Sequence, residues 1–124
     1  MAYKLFVYGT LHPKKAPPEV RNDVRRLRPE GKGTIRGRLL DLGEYPGVVQ
    51  TRGAGEVSGH VFSLPSDPGV LDRLDRYEEY FVDDPEGSLF LRKLLNVKRE
   101  NGIVERCWVY VLNPARMVSL RSAS

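Results

Sequence analysis

One glutamate of this sequence lies on the apolar side of a predicted helix, a position in which a carboxylate can act as a general acid/base. The segment 68–79 predicts a helix with an apolar stripe formed by Val70, Leu71, Leu74 and Tyr77. Glu78 lies four residues after Leu74 and seven after Leu71, so at helical spacing it projects from the same side. Burial disfavours the charged form of a carboxylate, and so does the helix dipole in the last turn. Both effects raise the pKa of Glu78 toward the range that a general acid/base needs near neutral pH.

The same helix also permits a purely structural interpretation. Asp72, Asp75, Arg76 and Glu79 fall off the apolar stripe and are predicted to face solvent. Glu78 could be a helix-end carboxylate that pairs with a lysine or arginine such as Arg92 and has no catalytic role. The pattern of residues leaves both interpretations of Glu78 open.

A second candidate site is the glycine turn Val7-Tyr8-Gly9-Thr10-Leu11, which ends a predicted strand over residues 3–8. A glycine after a strand lets the chain turn with its amide N–H groups outward, and such amides bind a carboxylate or an oxyanion. Thr10 adds a hydroxyl, but an ordinary turn is the alternative, and the phosphate-loop pattern is absent. Tyr45-Pro46-Gly47 is predicted to be another turn, and its role can equally be structural.

Metal, thiol and serine chemistry are not supported by the spacing of the relevant residues. His12 and His60 are too isolated to form a metal site, so none is predicted. The single cysteine, Cys107, lies in a predicted strand with no activating base nearby, and it is predicted to be a buried structural thiol. No nucleophile-elbow pattern supports Ser/His/Asp catalysis.

The chain carries a net charge of +4, with a local cluster at Arg25, Arg26 and Arg28. Base-stacking aromatic residues do not alternate with this cluster, as a single-strand platform would require. A solvated helix face is therefore favoured over a nucleic-acid site. An anionic small-molecule substrate also suits a basic protein.

The elements that must position these residues are mostly short strands, predicted over residues 3–8, 33–42, 55–64, 89–98 and 104–113. A short helix with Val20, Val24 and Leu27 on one face is closed by Pro29 and Gly31. Many short strands with few helices predict a closed or strongly curved sheet. Residues 1–113 are predicted to form one domain, and residues 114–124 a loosely attached tail. One cysteine, without a signal peptide or a membrane-spanning run, predicts a cytoplasmic protein with no membrane association.

Four segments together resemble the γ-glutamylcyclotransferase-like family, including its plant avirulence-induced-gene-like branch. They are Val-Tyr-Gly-Thr-Leu (7–11), Tyr-Pro-Gly (45–47), Leu-Asp-Arg-Tyr-Glu (74–78) and Ser-Leu-Phe-Leu-Arg (88–92). The resemblance implies an α+β fold, a small mixed β-barrel with short flanking helices. It also implies that Glu78 is the acid/base. The sequence departs from the family pattern at Glu79, where glycine is common, and in an acidic loop with Asp83, Asp84 and Glu86.

The resemblance implies an enzyme that cyclises a γ-glutamyl amine or a γ-glutamyl peptide to 5-oxoproline and releases the amine, without metal or organic cofactor. Glu78 would move the proton, and the amides of Gly9, Thr10 and Leu11 would hold the substrate. Tyr8 and Tyr45 would form walls of the pocket, and Arg92 would assist with its charge. The alternatives are a non-catalytic module that binds a small anion in the same cavity, and a nucleic-acid-associated protein that uses the Arg25–Arg28 cluster. The sequence predicts neither the released amine nor the oligomeric state.

Overall fold

The computed structural model describes residues 3–8, 18, 20–41, 46–50 and 55–115. Within these residues the chain forms seven strands and two helices: β1 (Lys4–Val7), α1 (Arg21–Arg25), β2 (Arg28–Arg36), β3 (Arg38–Asp41), β4 (Pro46–Val49), β5 (Glu56–Ser63), α2 (Gly69–Tyr77), β6 (Phe90–Arg99) and β7 (Val104–Leu112). No helix in this part of the chain is long and apolar enough to cross a membrane.

Five of the strands close into a barrel in the order β1-β5-β2-β6-β7. The barrel closes through the parallel pair β1 and β7, in which Leu5 lies opposite Trp108. Its other pairs are antiparallel, and the longest of them, β6 with β7, places Arg92 opposite Tyr110. The strands β3 and β4 form an antiparallel pair of their own. The fold is therefore α+β, a small mixed β-barrel with short flanking helices, as the sequence predicted.

Side chains along the barrel strands alternate between two apolar clusters, because successive residues of a strand point to opposite faces. One cluster consists of strand residues such as Phe6 and Cys107, and it fills the barrel. The other cluster joins Leu5 on the outer face to Val24 of α1 and Leu74 of α2. Cys107 is fully buried, as predicted, and burial raises its pKa to about 11. The helices therefore cover one outer side of the barrel wall.

The predicted strand over 33–42 is two strands in the structure. The chain leaves the barrel at Gly37 and continues as β3 in the separate pair. A Cβ atom added to Gly37 would lie 2.9 Å from Cγ1 of Val48, so this corner approaches β4 more closely than a side chain would allow. The sequence pattern did not show the corner, because Arg-Gly-Arg at 36–38 also fits a continuous strand.

Four residues that were predicted to stop or turn the chain lie in strands instead. Pro29 and Gly31, predicted to close α1, belong to β2, where the register shifts between them and Gly31 has φ 117°. Pro46 and Gly47, predicted to form a turn, begin β4, and Pro46 pairs with Asp41. Strands tolerate proline at their first residue and at bulges, and this exception explains why the local prediction was wrong.

The helix α2 is fixed at its N-terminal end by charged side chains. The N–H group of Gly69 donates to Oδ1 of Asp67 (2.9 Å). Nε of Arg73 donates to both carboxylate oxygens of Asp23 in α1, at 3.0 Å each. Nη1 of Arg26, from the basic cluster, donates to Asp67 (2.9 Å). These bonds hold α2 against α1 and so determine where its C-terminal end meets the barrel.

Candidate active site

Glu78 is the C-terminal capping residue of α2, and the chain turns sharply after it. The N–H group of Glu79 donates to the carbonyl of Arg76 (3.1 Å), and that of Tyr80 donates to the carbonyl of Asp75 (2.8 Å). These two bonds form a Schellman ending, which requires its central residue in the left-handed region. Glu79 fills that position with φ 54°, where glycine is the usual residue. The ending therefore stops the helix directly after the candidate acid/base.

The carboxyl group of Glu78 is partly buried, and its environment favours the protonated form. Burial raises its pKa from 4.5 to about 7, and the negative charge of Glu79 acts in the same direction. Among the residues that the structure describes, the carboxyl group makes no hydrogen bond and no ion pair. The charge of Glu78 helps to raise the pKa of the hydroxyl groups of Tyr8 and Tyr110, so both lie within electrostatic range of it. A carboxyl group with this pKa can accept and return a proton near neutral pH.

Arg92, which the sequence suggested as a structural partner of Glu78, is bonded to Asp75 instead. Its Nε donates to Oδ1 of Asp75 (2.8 Å) and its Nη2 to Oδ2 (3.2 Å). The guanidinium group also stacks on Trp108, 4.3 Å from the ring centroid. The prediction that Asp75 faces solvent is wrong, because only 4% of this residue is exposed. The helix packs on the barrel over a wider arc than its apolar stripe, and the paired Arg92 compensates the buried charge.

Tyr8 lies at the end of β1, and its hydroxyl group is held by two other strands. The hydroxyl donates to the main-chain carbonyl of Tyr110 in β7 (2.5 Å) and accepts from the N–H group of Val48 in β4 (3.2 Å). Burial raises the pKa of Tyr8, and the nearby charge of Glu78 adds to this, so the hydroxyl stays protonated. The hydroxyl of Tyr110 in turn donates to Oδ1 of Asp75 (2.6 Å). Tyr110 thus links Tyr8 and β4, through its carbonyl, to α2, through its hydroxyl.

A close approach of two strands fixes the end of β1 just before Tyr8. A Cβ atom added to Gly59 of β5 would lie 2.5 Å from the carbonyl oxygen of Val7 and 2.6 Å from Cζ of Phe6. Real Cβ atoms do not approach other atoms so closely, so this register of β1 on β5 requires glycine at position 59. The ring of Tyr8 is therefore positioned from both ends, by its backbone and by its hydroxyl.

The structure brings together three of the predicted site residues. Tyr8 and Glu78 lie within electrostatic range of each other, and Arg92 reaches the same helix end through Asp75. The other predicted residues, Gly9, Thr10, Leu11 and Tyr45, lie outside the described residues. In the described segments no group of three or more His, Cys, Asp or Glu side chains could hold a metal ion.

Sequence reasoning missed two residues of this arrangement, Asp75 and Tyr110. The signal that could have found Asp75 is its position directly after Leu74, at the edge of the apolar stripe. Tyr110 gave no comparable signal, because a tyrosine in a strand is common and its partner lies 35 residues away in the sequence.

A comparison with known protein families matches residues 5–123 to the family described as "Gamma-glutamyl cyclotransferase, AIG2-like". The chain belongs to this family. The resemblance that its four motifs indicated is thereby confirmed. The match extends beyond residue 113, and the division into a domain over 1–113 and a tail over 114–124 stays a prediction.

Several solved structures share the fold of this γ-glutamylcyclotransferase-like chain. YkqA from Bacillus subtilis aligns with a TM-score of 0.68 and 22% identity over 91% of the chain, which spans only 36% of that protein. An AIG2-like protein from Mus musculus aligns with a TM-score of 0.67 and 27% identity over 88% of the chain and 76% of that protein. A protein described as gamma-glutamyl cyclotransferase aligns with a TM-score of 0.63 and 15% identity over 89% and 66%. A comparison with curated proteins finds no match.

In this family member the loop that follows Glu78 is held by internal hydrogen bonds. The hydroxyl of Ser88 accepts from the N–H group of Phe81 (2.8 Å) and donates to the carbonyl of Asp84 (2.9 Å). Nδ2 of Asn113 donates to the carbonyl of Ser88 (2.8 Å), and both residues are buried. Ser88, the first residue of the fourth motif, is thus the anchor of the acidic loop.

Proposed function

We propose that this protein is a γ-glutamyl cyclotransferase that converts a γ-glutamyl amine or a γ-glutamyl peptide to 5-oxoproline and releases the amine. The observation that carries the proposal is the state of Glu78. Its carboxyl group has a pKa of about 7, lies at the end of α2, and has no cation partner among the described residues. Membership of the γ-glutamyl cyclotransferase family supports the reaction class.

In the proposed reaction one carboxyl group moves two protons in turn from the attacking nitrogen to the departing nitrogen. The carboxylate of Glu78 first accepts a proton from the α-ammonium group of the substrate, and the freed nitrogen attacks the γ-carbonyl carbon. A C–N bond forms as the ring closes, and the carbonyl oxygen becomes an oxyanion. Glu78 then returns the proton to the departing nitrogen as the γ-carbonyl bond to that nitrogen breaks. The regenerated carboxylate takes the second proton from the ring nitrogen and passes it to the released amine, so the products are 5-oxoproline and an ammonium ion, and Glu78 is again a carboxylate.

The remaining predicted contacts hold the substrate in a curled conformation, so that its nitrogen and carbonyl carbon lie within attack range. We assign the main-chain amides of Gly9, Thr10 and Leu11 to the α-carboxylate or the oxyanion. Tyr8 and Tyr45 form walls of the pocket. The hydroxyl of Tyr8 is bonded to Tyr110 and Val48, which supports a role for its ring rather than its hydroxyl.

Arg92 is proposed to assist the site through Asp75 and not through a direct contact with the substrate. Two of its donor atoms are engaged by Asp75, and the plane of its guanidinium group stacks on Trp108. Moving Arg92 from Asp75 onto a substrate carboxylate would break these bonds and leave the charge of Asp75 buried without a cation.

The test is release of 5-oxoproline from a panel of γ-glutamyl amines and γ-glutamyl dipeptides. The Glu78→Gln variant is expected to lose a factor of about 10² to 10⁴ in kcat, the usual contribution of a general acid/base. Glu100→Gln is the matched control, because Glu100 is exposed in the turn between β6 and β7. This control is expected to keep the wild-type rate.

Two outcomes would contradict the proposal. Equal turnover by the wild type and a folded Glu78→Gln variant would remove Glu78 from the mechanism. Tight binding of γ-glutamyl compounds with no product from any member of the panel would identify a binding module instead. The panel member with the highest kcat/KM would indicate the class of amine that is released.

A further inference from the structure

Arg92 is a largely buried cation at the last turn of α2, and it is bonded to Asp75. The side chains of Arg92 and Asp75 are only 14% and 6% exposed, and the pair is bidentate. The hydroxyl of Tyr110 donates a further hydrogen bond to Oδ1 of Asp75. A buried guanidinium group needs an anionic partner, because an unpaired buried charge is strongly destabilising.

Glu78 lies one helical turn beyond Asp75, and residues three apart on a helix are neighbours. Tyr110 connects the two positions: its hydroxyl is bonded to Asp75, and its pKa responds to the charge of Glu78. The titratable groups of the described residues around this turn are Tyr8 at the end of β1, Arg92 of β6, Tyr110 of β7, and Asp75, Arg76, Tyr77, Glu79 and Tyr80 along α2 and its ending. Of the two cations in this group, Arg76 is exposed to solvent, and Arg92 is the one that lies on the barrel wall.

We propose that Asp75 is a positioning residue that holds the guanidinium group of Arg92 and so keeps this cation away from Glu78. Two carboxylates lie within one turn of α2, and Arg92 of the barrel wall is bonded to the first of them, Asp75. The bidentate geometry at Asp75 decides which carboxylate is paired and which is left to exchange a proton.

An ion pair with Arg92 would change the pKa of the Glu78 carboxyl group. A cation within about 4–6 Å lowers the pKa of a carboxyl group by about 1 to 3. If Arg92 paired with Glu78, the carboxylate would be a weaker base and would hold no proton for a leaving amine near neutral pH. The effect on turnover rests on the proposed function, whereas the ionisation of Glu78 does not depend on any substrate.

The experiment is a pH titration of the Glu78 side chain by NMR, in protein labelled with ¹³C-glutamate, with the signal assigned by its loss in Glu78→Gln. In Asp75→Asn the carboxyl pKa is expected to fall by about 1 or more, because Arg92 loses its anion and turns to Glu78. In the double variant Asp75→Asn/Arg92→Gln the pKa is expected to return to the wild-type value. If Asp75 only stabilised the fold, removing Arg92 as well would not restore the pKa of Glu78.

Two results would overturn the proposal: a wild-type pKa for Glu78 in Asp75→Asn, or a double variant that keeps the lowered value. If Asp75→Asn does not fold, Arg92→Lys serves in its place. Lysine keeps the positive charge but cannot form the two parallel bonds, so its ammonium is shared between the carboxylates. The pKa of Glu78 is then expected to fall by a smaller amount, and an unchanged value would overturn the proposal.

Measurement of 5-oxoproline release in the same variants separates this proposal from the proposed function. The acid limb of the kcat/KM profile is expected to move to lower pH together with the carboxyl pKa. A lowered pKa without product from any substrate would overturn the cyclotransferase and leave the positioning role intact. Product formation with an unmoved pKa in Asp75→Asn would overturn the positioning role and leave the cyclotransferase intact.

Discussion

The hydroxyl of Tyr110 donates a hydrogen bond of 2.6 Å to Asp75 and thereby fixes the last turn of α2 to the barrel wall. The main-chain carbonyl of the same residue accepts from the hydroxyl of Tyr8. Tyr110 therefore touches both the helix end that carries Glu78 and the residue that follows β1, Tyr8. The two halves of the candidate site, which lie some 70 residues apart in the sequence, share one strand as their support.

Tyr110→Phe is expected to lower the free energy of unfolding by about 1 to 3 kcal/mol, because a buried carboxylate loses one of its donors. Tyr3→Phe is the matched control, since Tyr3 is 44% exposed and packs its ring edge-on against Trp108. The control is expected to leave stability unchanged. Urea unfolding of both variants measures the difference, and equal stabilities would show that the bond to Asp75 contributes nothing.

Glu79→Gly is expected to stabilise the protein by about 0.5 to 1 kcal/mol relative to Glu79→Gln. Both substitutions remove the same charge, but only glycine relieves the left-handed backbone at this position. Both are also expected to lower the pKa of Glu78, because the charge of Glu79 helps to raise it. Thermal unfolding compares the stabilities, and an NMR titration of Glu78 compares the pKa values. A glycine variant less stable than the glutamine variant would contradict the strain argument.

The barrel could be predicted from the sequence because its strands are short, apolar and bounded by turn residues, and because four motifs resemble a known family. The corner at Gly37 could not, since it depends on how closely the chain passes Val48. Pro46 was misassigned for a related reason: its place at the start of β4 is decided by pairing with Asp41. Local propensity marks residues that can break a strand, and tertiary pairing decides whether they do.

Glu78 could be singled out from the sequence because a carboxylate on an apolar stripe is unusual. Asp75 was assigned to the solvent face, because its position at the edge of the apolar stripe is a weaker signal than a place within it. Its burial depends on Arg92 and Tyr110, which reach it from strands far along the chain. Helical periodicity gives the direction of each side chain, but it does not show how much of the helix surface the barrel covers. The barrel covers more of α2 than the apolar stripe, and Asp75 is therefore buried.

The stability of the protein is expected to depend on pH through Glu78. The folded-state pKa of about 7 lies above the ordinary value of 4.5, so between these pH values the folded state binds more protons than the unfolded state. Stability contributed by this group therefore falls as the pH rises through that window. Glu78→Gln carries no such group, and above about pH 7 it is expected to be more stable than the wild type by about 3 kcal/mol.

Urea unfolding of the wild type and of Glu78→Gln across the pH range measures this difference directly. The two proteins are expected to converge below about pH 4.5, where the carboxyl group is protonated in both the folded and the unfolded state. A constant difference at all pH values would show that Glu78 titrates normally in the folded protein. That result would also remove the main support for its role as an acid/base.

Gly59→Ala is expected to destabilise the protein by about 1 to 3 kcal/mol, because the added methyl group would overlap the carbonyl oxygen of Val7 and the ring of Phe6. Relief of the overlap must move β1 away from β5, and this movement displaces Tyr8 from its bonds. Gly55→Ala is the matched control, because a Cβ atom there meets no atom within 4 Å. Urea unfolding is expected to give the control a stability within about 0.5 kcal/mol of the wild type.

The same pair of variants tests whether the position of Tyr8 matters for the site. Gly59→Ala is expected to lower kcat/KM for 5-oxoproline release even where the variant is fully folded, because the strand that precedes Tyr8 moves. Gly55→Ala is expected to keep the wild-type value. If a folded Gly59→Ala variant were as active as Gly55→Ala, the site would not depend on the register of β1 against β5, and Tyr8 would have no part in shaping the pocket.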